Sequence, residues 1–352
     1  MRTLLFYSRK FSMNDLALWS RGMHMQTKLV LVEGNPFTGK STLSEYAAQQ
    51  IRLNGHAAEW VSEGLMFDKY FPYVLAALDQ GQPISDESLW AEWSAFAQAV
   101  ESASATFVVD AAISYAAVYP LLAEDRPYEA ILAMVTRIAE LCALLHPRVV
   151  YLRGDQEQLA RASIVERGDR WEKQMVDQSD AAPYQKARGR SGVEGAIAFL
   201  QETQELMDVV LTASGWQTLT LDVTSVTSTD RETNRRAMLS FLGISEVQVD
   251  PPVLAAPLQG YTGTYAQDDP DDPDGNIGTG TIGTLEVRIE QDRLVLYQPG
   301  ISMRLGPLVP VSSTRFHLTA SPLNVEFVVE DGMARHLVLI RSSGKTIAFS
   351  RA

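Results

Sequence analysis

Residues 29–42 read LVLVEGNPFTGKST, and this stretch decides the fold of the larger part of the chain. The aliphatic run from Lys28 to Val32 is typical of a buried parallel strand. After the glycine-rich turn, apolar residues recur at helical spacing through residues 43–53, and Asn54-Gly55 is a helix stop signal. The pattern predicts a strand, a tight turn and a helix, in that order.

The turn has the spacing of the phosphate-binding P-loop, a glycine followed after four residues by Gly-Lys-Ser. Its backbone N–H groups and the start of the helix would form an anion site. Lys40 supplies a charge for the outer phosphates, and the Ser41 hydroxyl is placed to ligate Mg²⁺. A glycine-rich turn without a ligand is the alternative, but the flanking strand and helix favour a nucleoside triphosphate. The predicted binding residues are Gly34, Asn35, Pro36, Phe37, Thr38, Gly39, Lys40, Ser41 and Thr42.

The composition is that of an ordinary globular protein. Of 352 residues, 46% are hydrophobic and 21% are charged, and the length is enough for two domains. The formal net charge of −13 would repel a phosphate backbone, so we predict no nucleic acid partner. No apolar run approaches the length of a membrane span, and the single cysteine, Cys142, allows no disulfide within the chain. We expect a cytoplasmic protein with no membrane partner and with Cys142 in the core. The composition leaves a homodimer open.

Residues 1–24 differ in character from the rest. A targeting peptide would need a long apolar core or a small-residue cleavage site, and the segment shows neither. We interpret it as an extension from a misassigned start, and expect it to be poorly ordered or loosely packed. Against the acid Asp15, its basic residues are Arg2, Arg9, Lys10 and Arg21.

Residues 25–246 have the pattern of a parallel sheet with connecting helices. From Thr27 to Gly243 short apolar strands alternate with helical patterns, which is typical of βαβ units. After the first strand we predict strands at residues 56–62, 106–110, 148–152 and 217–223, and a last helix at 231–242.

Residues 247–257 are predicted to form a linker, because their prolines are incompatible with a helix and with a central strand. Residues 258–352 then follow an all-β pattern, which predicts a small antiparallel barrel or sandwich domain. Hairpin-type turns are predicted at Gln291-Asp292 and Asp331-Gly332. The predicted strands include residues 285–289, 294–297, 325–329 and 336–340.

Residues 28–243 resemble the P-loop kinases of the nucleoside-monophosphate-kinase and small-molecule-phosphotransferase type. Besides the P-loop, Glu63-Gly64 is similar to the place where thymidylate kinases and antibiotic phosphotransferases have substrate-facing acids. Asp110 resembles the acid that ends the third strand and serves Mg²⁺ or substrate. The resemblance implies an α/β fold with sheet order 2-3-1-4-5, helices on both faces, and ATP as the nucleotide.

Two further stretches extend or limit the resemblance. Residues 158–171, which follow the fourth strand, look like an arginine-bearing lid. In contrast, the Asp-Arg pair that thymidylate kinases carry after the third strand is Asp110-Ala111 in this chain. Together with Pro36 and Phe37 inside the P-loop, this means that the acceptor need not be a thymidylate. Residues 260–349 resemble, more loosely, the lipocalin-like β domain appended to some bacterial hydrolases, which implies a barrel-like fold.

Two acids are candidates for the chemistry. Glu63 could orient or deprotonate an acceptor hydroxyl, or it could be a solvated loop acid or a helix N-cap. Asp110, at the end of an apolar strand, could help to hold Mg²⁺, or it could cap the next helix. Ser114 and Tyr115 are candidates to line the acceptor pocket.

Arg167 and Arg170 are three residues apart, so a helix would place both on one face, where they could contact phosphates. The alternative is a surface helix whose arginines pair with the nearby acids, and Arg161 is a third candidate for phosphate contact. The predicted catalytic residues are therefore Lys40, Glu63, Asp110, Arg167 and Arg170, with Ser41 and Asp110 as the metal ligands.

Two other charged clusters receive no functional role. Lys186, Arg188 and Arg190 are interpreted as a solvated loop rather than an anion site. Residues 268–276 are acidic, but Pro270 occupies the first ligand position of an EF-hand template, so we predict a charged turn rather than a calcium site. The histidines form no paired ligand spacing, and no structural zinc is predicted.

The leading hypothesis is ATP- and Mg²⁺-dependent phosphoryl transfer to a hydroxyl or phosphate of a small molecule. A nucleotide-dependent switch or ATPase, whose β domain binds a partner, is the second. The sequence has neither the Asn-Lys-x-Asp guanine-reading motif nor an ABC signature, which argues against that class. A third hypothesis makes the β domain a binding module for a lipid or peptide.

Overall fold

The computed structural model describes residues 27–224, 228–269, 282–301, 303–341 and 344–352. The predicted extension at residues 1–24 and most of the acidic turn at 268–276 lie outside the described residues. The described chain forms a five-stranded parallel sheet and a closed barrel of eight antiparallel strands. No helix among these residues is long and apolar enough to span a membrane.

The parallel sheet has the strand order β2-β3-β1-β4-β5, which confirms the predicted order. Its strands are β1 (Leu29–Gly34), β2 (Ala58–Val61), β3 (Thr106–Asp110), β4 (Arg148–Arg153) and β5 (Gln217–Asp222). In the register of the central strands, Val32 lies opposite both Asp110 and Val150. The carboxyl ends of β1, β3 and β4 therefore meet at one edge, where open α/β sheets bind ligands.

Helices cover both faces of this sheet. They are α1 (Lys40–Leu53), α2 (Glu63–Tyr70), α3 (Pro72–Gln80), α4 (Asp86–Ser102), α5 (Tyr119–Ala123), α6 (Tyr128–Cys142), α7 (Gln156–Arg167), α8 (Asp169–Ala181), α9 (Pro183–Arg188), α10 (Gly192–Ser214) and α11 (Ser228–Leu242). Short helical turns of other types span Ser114–Val118 and Ala143–Leu145.

The core lies on the two faces of β1 and its neighbours. Leu29 and Leu31 enter one apolar cluster, and Val30 and Val32 enter the other, because successive side chains of a strand point to opposite faces. All four are fully buried, and each such side chain contributes about 1.5–3 kcal/mol to folding. Cys142 is also buried in the first cluster, as predicted, and burial raises the pKa of its thiol to about 12.

The barrel follows the short helix α12 (Leu258–Tyr261) and closes in the order β10-β11-β12-β13-β6-β7-β8-β9. Its strands are β6 (Gly263–Gln267), β7 (Thr284–Glu290), β8 (Arg293–Gln298), β9 (Met303–Pro310), β10 (Arg315–Leu318), β11 (Asn324–Glu330), β12 (Met333–Ile340) and β13 (Thr346–Arg351). A 3₁₀ turn at Pro299–Ile301 joins β8 to β9. The two-residue turns Gln291-Asp292 and Asp331-Gly332 have positive φ at both positions, as hairpins of type I′ require, and confirm the predicted turns.

Aromatic rings fill the interior of the barrel. Tyr261, Phe316 and Phe327 pack edge to face with centroids 5.1–5.4 Å apart, and Tyr265 and Phe349 are buried beside them. A barrel of this size whose centre is occupied by side chains is a packed core. Side chains therefore occupy the interior of the barrel, and the hypothesis that the β domain binds a lipid or peptide stays a prediction.

The barrel contacts the α/β part of the molecule directly. One carboxylate oxygen of Glu45 of α1 contacts Nε2 of His317 of β10, and its other oxygen accepts a hydrogen bond from the Ala320 amide at 3.1 Å. The His317 ring also packs against Trp60 of β2, with centroids 6.4 Å apart. These contacts bring one side of the barrel to the carboxyl edge of the sheet. The predicted domain boundaries themselves stay a prediction.

Candidate functional site

The loop between β1 and α1 has the backbone that its glycines predict. Gly34 and Gly39 have φ angles of 147° and 83°, and Gly39 is the residue before the first turn of α1. A Cβ on Gly34 would lie 2.7 Å from the Leu152 carbonyl oxygen, so only glycine fits there. The Asn35 amide donates to the Leu200 carbonyl at 2.6 Å, and the Thr38 hydroxyl donates to the Asn35 carbonyl at 2.8 Å. These bonds fix the loop from both sides.

Phe37 is a strained residue inside this loop. Its φ is 75°, in the left-handed region, which costs of order 1–3 kcal/mol for a residue other than glycine. Its ring meets the ring of Trp171 edge to face, with centroids 5.7 Å apart. Trp171 lies in the first turn of α8, so this contact joins the loop to the segment that we predicted as the lid.

Lys40 is the first residue of α1 and is 5% exposed. Its Nζ donates a hydrogen bond to the Tyr115 hydroxyl at 3.0 Å and lies 4.0 Å from Glu63 Oε2. Burial lowers the pKa of Lys40, but Tyr115, Asp110 and Glu63 together raise it by more, so the net shift is upward. Lys40 is therefore a fixed positive charge at the carboxyl edge of the sheet.

Asp110 ends β3 and is 1% exposed. Neither of its carboxylate oxygens completes a hydrogen bond within the described part of the chain, so Asp110 caps no helix there. Burial raises the pKa of this carboxyl group, while the charge of Lys40 and the neighbouring Ser41 hydroxyl oppose the shift. A buried carboxylate without a partner is costly, and a bound cation would offset that cost.

The donor set beside Asp110 suits Mg²⁺. The Asp110 carboxylate and the Ser41 hydroxyl are hard oxygen ligands, and Mg²⁺ is usually held by one or two protein oxygens together with phosphates and water. The described residues contain no group of three His, Cys, Asp or Glu side chains that could hold a metal. The site therefore fits a metal–phosphate complex better than a metal bound by protein alone.

Glu33 is a buried acid that the sequence analysis missed. It lies on β1 directly before Gly34, and its two oxygens accept hydrogen bonds from the amides of Ile113 and Ser114, both at 2.9 Å. The Ser114 hydroxyl donates to it at 2.6 Å, so Ser114 is bound here while Tyr115 faces the cleft. Burial raises the pKa of Glu33, and the bond from the Ser114 side chain opposes this.

Glu33 fixes the turn that presents Asp110. Ala111, the residue after Asp110, has a left-handed φ of 61°, and the helical turn begins three residues later. Because Glu33 binds the first amides of that turn, it holds the strained junction in place. The signal in the sequence was a single acid at the end of an otherwise aliphatic strand.

Glu63 begins α2, and the N-cap is its neighbour Ser62, whose side chain accepts a hydrogen bond from the Leu65 amide. The interpretation of Glu63 as an N-cap is therefore wrong. The Glu63 side chain is 45% exposed, lines the cleft and faces Lys40. Burial raises the pKa of Glu63 and Lys40 lowers it, with a net upward shift.

The predicted placement of Arg167 and Arg170 on one helix is also wrong. Helix α7 ends at Arg167, and Gly168, with φ 86° and ψ −178°, breaks the chain before α8 begins. The Arg167 guanidinium stacks 4.6 Å above the Trp171 ring and lines the cleft, whereas Arg170 is exposed. Arg161 lies away from the cleft in ion pairs with Glu157 and Glu194, at 3.0 and 2.7 Å.

We predicted that the second basic cluster lies in a solvated loop, and for Lys186 and Arg188 this prediction is wrong. Lys186 and Arg188 lie on α9, and Arg188 pairs with Asp125 at 2.6 Å. Arg190 pairs with Glu202 at 3.3 Å, beyond the end of that helix. Of the three, Lys186 reaches the lining of the cleft.

A cleft of about 2170 Å³ opens over the carboxyl edge of the sheet. Its lining includes Glu63 and the aromatic residues Phe67, Tyr115 and Tyr119. It also includes residues of α11 (Arg231, Asn234 and Arg235) and of the barrel (Glu290, Arg304 and Thr319).

The chain matches no protein-family model and none of the curated proteins with which it was compared. A functional assignment therefore depends on the geometry of this cleft. The structure brings together Lys40, Ser41, Glu63, Asp110 and Arg167 of the predicted residues, and it leaves Arg170 outside.

Proposed function

We propose that the protein transfers the γ-phosphoryl group of ATP, bound with Mg²⁺, to a hydroxyl group of a small molecule. The observation that carries this proposal is the cluster at the end of β3, where the buried Asp110 carboxylate completes no hydrogen bond of ordinary geometry among the described residues and has the charge of Lys40 and the Ser41 hydroxyl beside it. A protein that binds nothing there would gain stability by replacing such an acid. A metal–phosphate group held by the loop would give the carboxylate its partner.

The groups around the loop have distinct roles on the donor side. The loop amides and Lys40 bind the β- and γ-phosphates, and Ser41 and Asp110 hold Mg²⁺, which when bound neutralises charge on these oxygens. Arg167, stacked on Trp171, supplies a rigid guanidinium for the charge that develops on the transferring group. The basic residues of α11 favour this side of the cleft for the rest of the nucleotide.

The acceptor side carries Glu63 and aromatic walls. Glu63 lies 4.0 Å from Lys40, and burial raises the pKa of Glu63, which makes this carboxylate a better proton acceptor. In the transfer, the bond between the γ-phosphorus and the β–γ bridging oxygen breaks as the acceptor oxygen bonds to phosphorus. The hydroxyl proton passes to Glu63, and ADP leaves.

We favour a hydroxyl over a phosphate as the acceptor group. A phosphate would bring negative charge close to Glu63 and Asp110, whereas a hydroxyl on an apolar or aromatic body suits the Phe67, Tyr115 and Tyr119 walls. This preference narrows the acceptor to neutral or cationic alcohols such as nucleosides and hydroxylated antibiotics.

The test is ADP formation by the pure full-length protein, with Mg·ATP and matched pairs of nucleosides and nucleoside monophosphates. A third set contains hydroxylated antibiotics. We expect a hydroxyl compound to accelerate ADP formation and to appear as a phosphorylated product by mass spectrometry. Faster turnover with monophosphates alone would contradict the hydroxyl assignment. Turnover that no acceptor changes would overturn the transferase.

A nucleotide-dependent switch is the second candidate. The contact between Glu166 of α7 and Arg304 of the barrel, 3.1 Å long, would let the barrel respond to a change in the lid. This candidate predicts slow hydrolysis without an acceptor and a nucleotide-dependent change at that contact.

A further inference from the structure

The barrel forms one wall of the cleft, although its own interior is filled. Glu290, Arg304 and Thr319 face the same space as the P-loop and Arg167. The contact of Glu45 with the His317 ring and the hydrogen bond from the Ala320 amide hold this wall against α1. The outer surface of the barrel is thus the part that can act on the site.

Arg304 is the basic residue through which the barrel reaches the lid. Its Nε lies 3.2 Å from Glu290 Oε2, and its Nη1 lies 3.1 Å from Glu166 Oε1. Glu290 is fixed in turn, because its other oxygen accepts a hydrogen bond from the Tyr297 hydroxyl. Arg304 is 25% exposed, so its side chain is held on the barrel and points toward α7.

Glu166 is the residue directly before Arg167, in the last turn of α7. Helix ends lose their hydrogen bonds easily, and the break at Gly168 leaves this turn without support from a continuing helix. Arg304 supplies that support through Glu166. On its other side Arg167 stacks on Trp171, whose ring contacts Phe37 of the P-loop. The position of the Arg167 guanidinium therefore depends on the barrel, through Glu166, and on the P-loop, through Trp171.

Electrostatics in the cleft agree with this arrangement. Burial lowers the pKa of Arg167, Glu166 opposes the shift, and the positive charge of Arg304 lowers the pKa further. Arg304 thus repels the Arg167 guanidinium while binding its neighbour, which favours positions of Arg167 toward Glu63 and Tyr115.

We infer that Arg304 is a positioning residue for Arg167. By holding Glu166, the barrel fixes the last turn of α7 so that the Arg167 guanidinium meets the transferring phosphoryl group. The inference rests on the proposed function, since it requires a phosphoryl group in the cleft. It gives the barrel a role in the transfer step through the position of Arg167.

A double-mutant cycle on the full-length protein tests the inference, with Arg304→Gln, Arg167→Ala and the double variant. We expect Arg304→Gln to lower kcat by roughly 10-fold with KM for ATP changed by less than about 2-fold, because binding is kept and only transition-state alignment is lost. In the Arg167→Ala background the same change should lower kcat by less than about 2-fold. Arg304→Lys, which keeps the charge, should recover part of the loss.

Arg236→Gln is the matched control, because Arg236 forms a similar pair with Glu232, at 2.9 Å, on the exposed surface of α11. It should leave kcat unchanged. If Arg304→Gln fails to fold, as judged by circular dichroism and thermal unfolding, Glu166→Gln removes the same bridge from the α7 side and should give the same cycle with Arg167→Ala.

Three results would overturn the inference alone. They are wild-type kcat in Arg304→Gln, an equal loss of kcat in the presence and absence of Arg167, and an effect confined to KM. A wild-type protein that binds no Mg·ATP by calorimetry, or turns none over, would instead remove the proposed function, and the inference would fall with it.

Discussion

The barrel interior and the carboxyl edge of the parallel sheet bury polar groups in different ways. In the barrel, the Tyr261 hydroxyl donates to the Ser313 carbonyl at 2.9 Å, and the Tyr265 hydroxyl donates to the Tyr261 carbonyl at 2.7 Å. At the sheet edge, the Asp110 carboxylate completes no hydrogen bond of ordinary geometry among the described residues. Its negative charge also raises the pKa of the nearby Glu63 carboxyl group. The barrel therefore satisfies its buried tyrosines, whereas the edge retains an acid that has the charge of Lys40 nearby but completes no hydrogen bond of ordinary geometry among the described residues.

The backbone differs in the same way. At the edge, Phe37 and Ala111 adopt left-handed φ angles of 75° and 61° inside the molecule. In the barrel hairpins, comparable angles occur at Gln291, Asp292 and Asp331, in turns where such angles are normal. Backbone strain and a buried acid without a regular hydrogen bond, when they coincide at one edge, are typical of a binding site, because a ligand can offset both. The contrast predicts which substitutions change activity and which change stability.

The largest effect should come from Lys40→Ala. In the proposed function Lys40 binds the outer phosphates, so its loss should lower turnover by roughly 1000-fold or more while the fold persists. Steady-state ADP formation measures it. Lys69→Ala is the control, since Lys69 lies on the neighbouring helix α2 with its side chain 55% exposed, and it should behave as the wild type. Normal turnover in Lys40→Ala would remove the assignment of the P-loop.

The barrel side of the contrast is tested by Phe327→Ala. Phe327 is 1% exposed, and its loss should lower the free energy of unfolding by about 3 kcal/mol, the low end for such a change because neighbouring rings can relax. The affinity for Mg·ATP should stay within about 2-fold wherever the variant is folded. Val328→Ala, on the next position and 44% exposed, should cost less than about 0.5 kcal/mol. If the affinity of Phe327→Ala for Mg·ATP fell together with its free energy of unfolding, the barrel interior and the sheet edge would not be independent regions.

Glu63→Gln should lower phosphoryl transfer by roughly 100-fold, the usual scale for a positioned base, without weakening Mg·ATP. The pKa of Glu63 is shifted upward, so wild-type kcat should rise with pH through that pKa, and Glu63→Gln should lose this limb of the profile. Glu59→Gln is a control from β2, since Glu59 pairs with the exposed Lys69 at 3.8 Å. An unchanged rate in Glu63→Gln would leave Glu63 without a role in transfer.

Much of this contrast can be predicted from sequence, because its causes are local. The glycine spacing from Gly34 to Gly39 determines the loop, and the strand that ends in Asp110 must reach the same edge as β1 in a parallel sheet. Closure of the barrel could not be distinguished from a sandwich, since it depends on β13 pairing with β6, far apart in the chain.

The misses have the same physical origin. Helical spacing placed Arg167 and Arg170 on one face, but the single residue Gly168 ends the helix between them. The roles of Glu33 and Arg304 depend on tertiary contacts, with Ile113 and Ser114 in one case and Glu166 in the other. No local pattern predicts such contacts.

The smallest effect, and the one that most sharpens the contrast, is the pH dependence of stability at Asp110. Because burial raises the pKa of Asp110 in the folded state, the native protein holds this proton more tightly than the unfolded chain. Stability from this group is complete below the unfolded pKa, near 3.8, and falls as pH rises through the raised folded pKa. Asp110→Asn removes this loss of stability at high pH. Without ligand, the free energy of unfolding of the variant should therefore exceed that of the wild type by about 1–2 kcal/mol at pH 8, and by less at pH 5.

Mg·ATP should reverse that order. When the carboxylate holds the metal, its charge becomes favourable, so the wild type should gain more thermal stability from Mg·ATP than Asp110→Asn does, and the variant should need more Mg²⁺ for activity. Urea unfolding at the two pH values, and melting temperatures across a Mg²⁺ titration, measure both halves. Asp208→Asn is the control, because Asp208 forms an exposed pair with Arg153 at 3.1 Å and should show neither effect. Identical Mg²⁺ curves for Asp110→Asn and the wild type would contradict the metal role of Asp110. If the variant were less stable than the wild type at pH 8 without ligand, the sheet edge would satisfy its buried polar groups, as the barrel interior does.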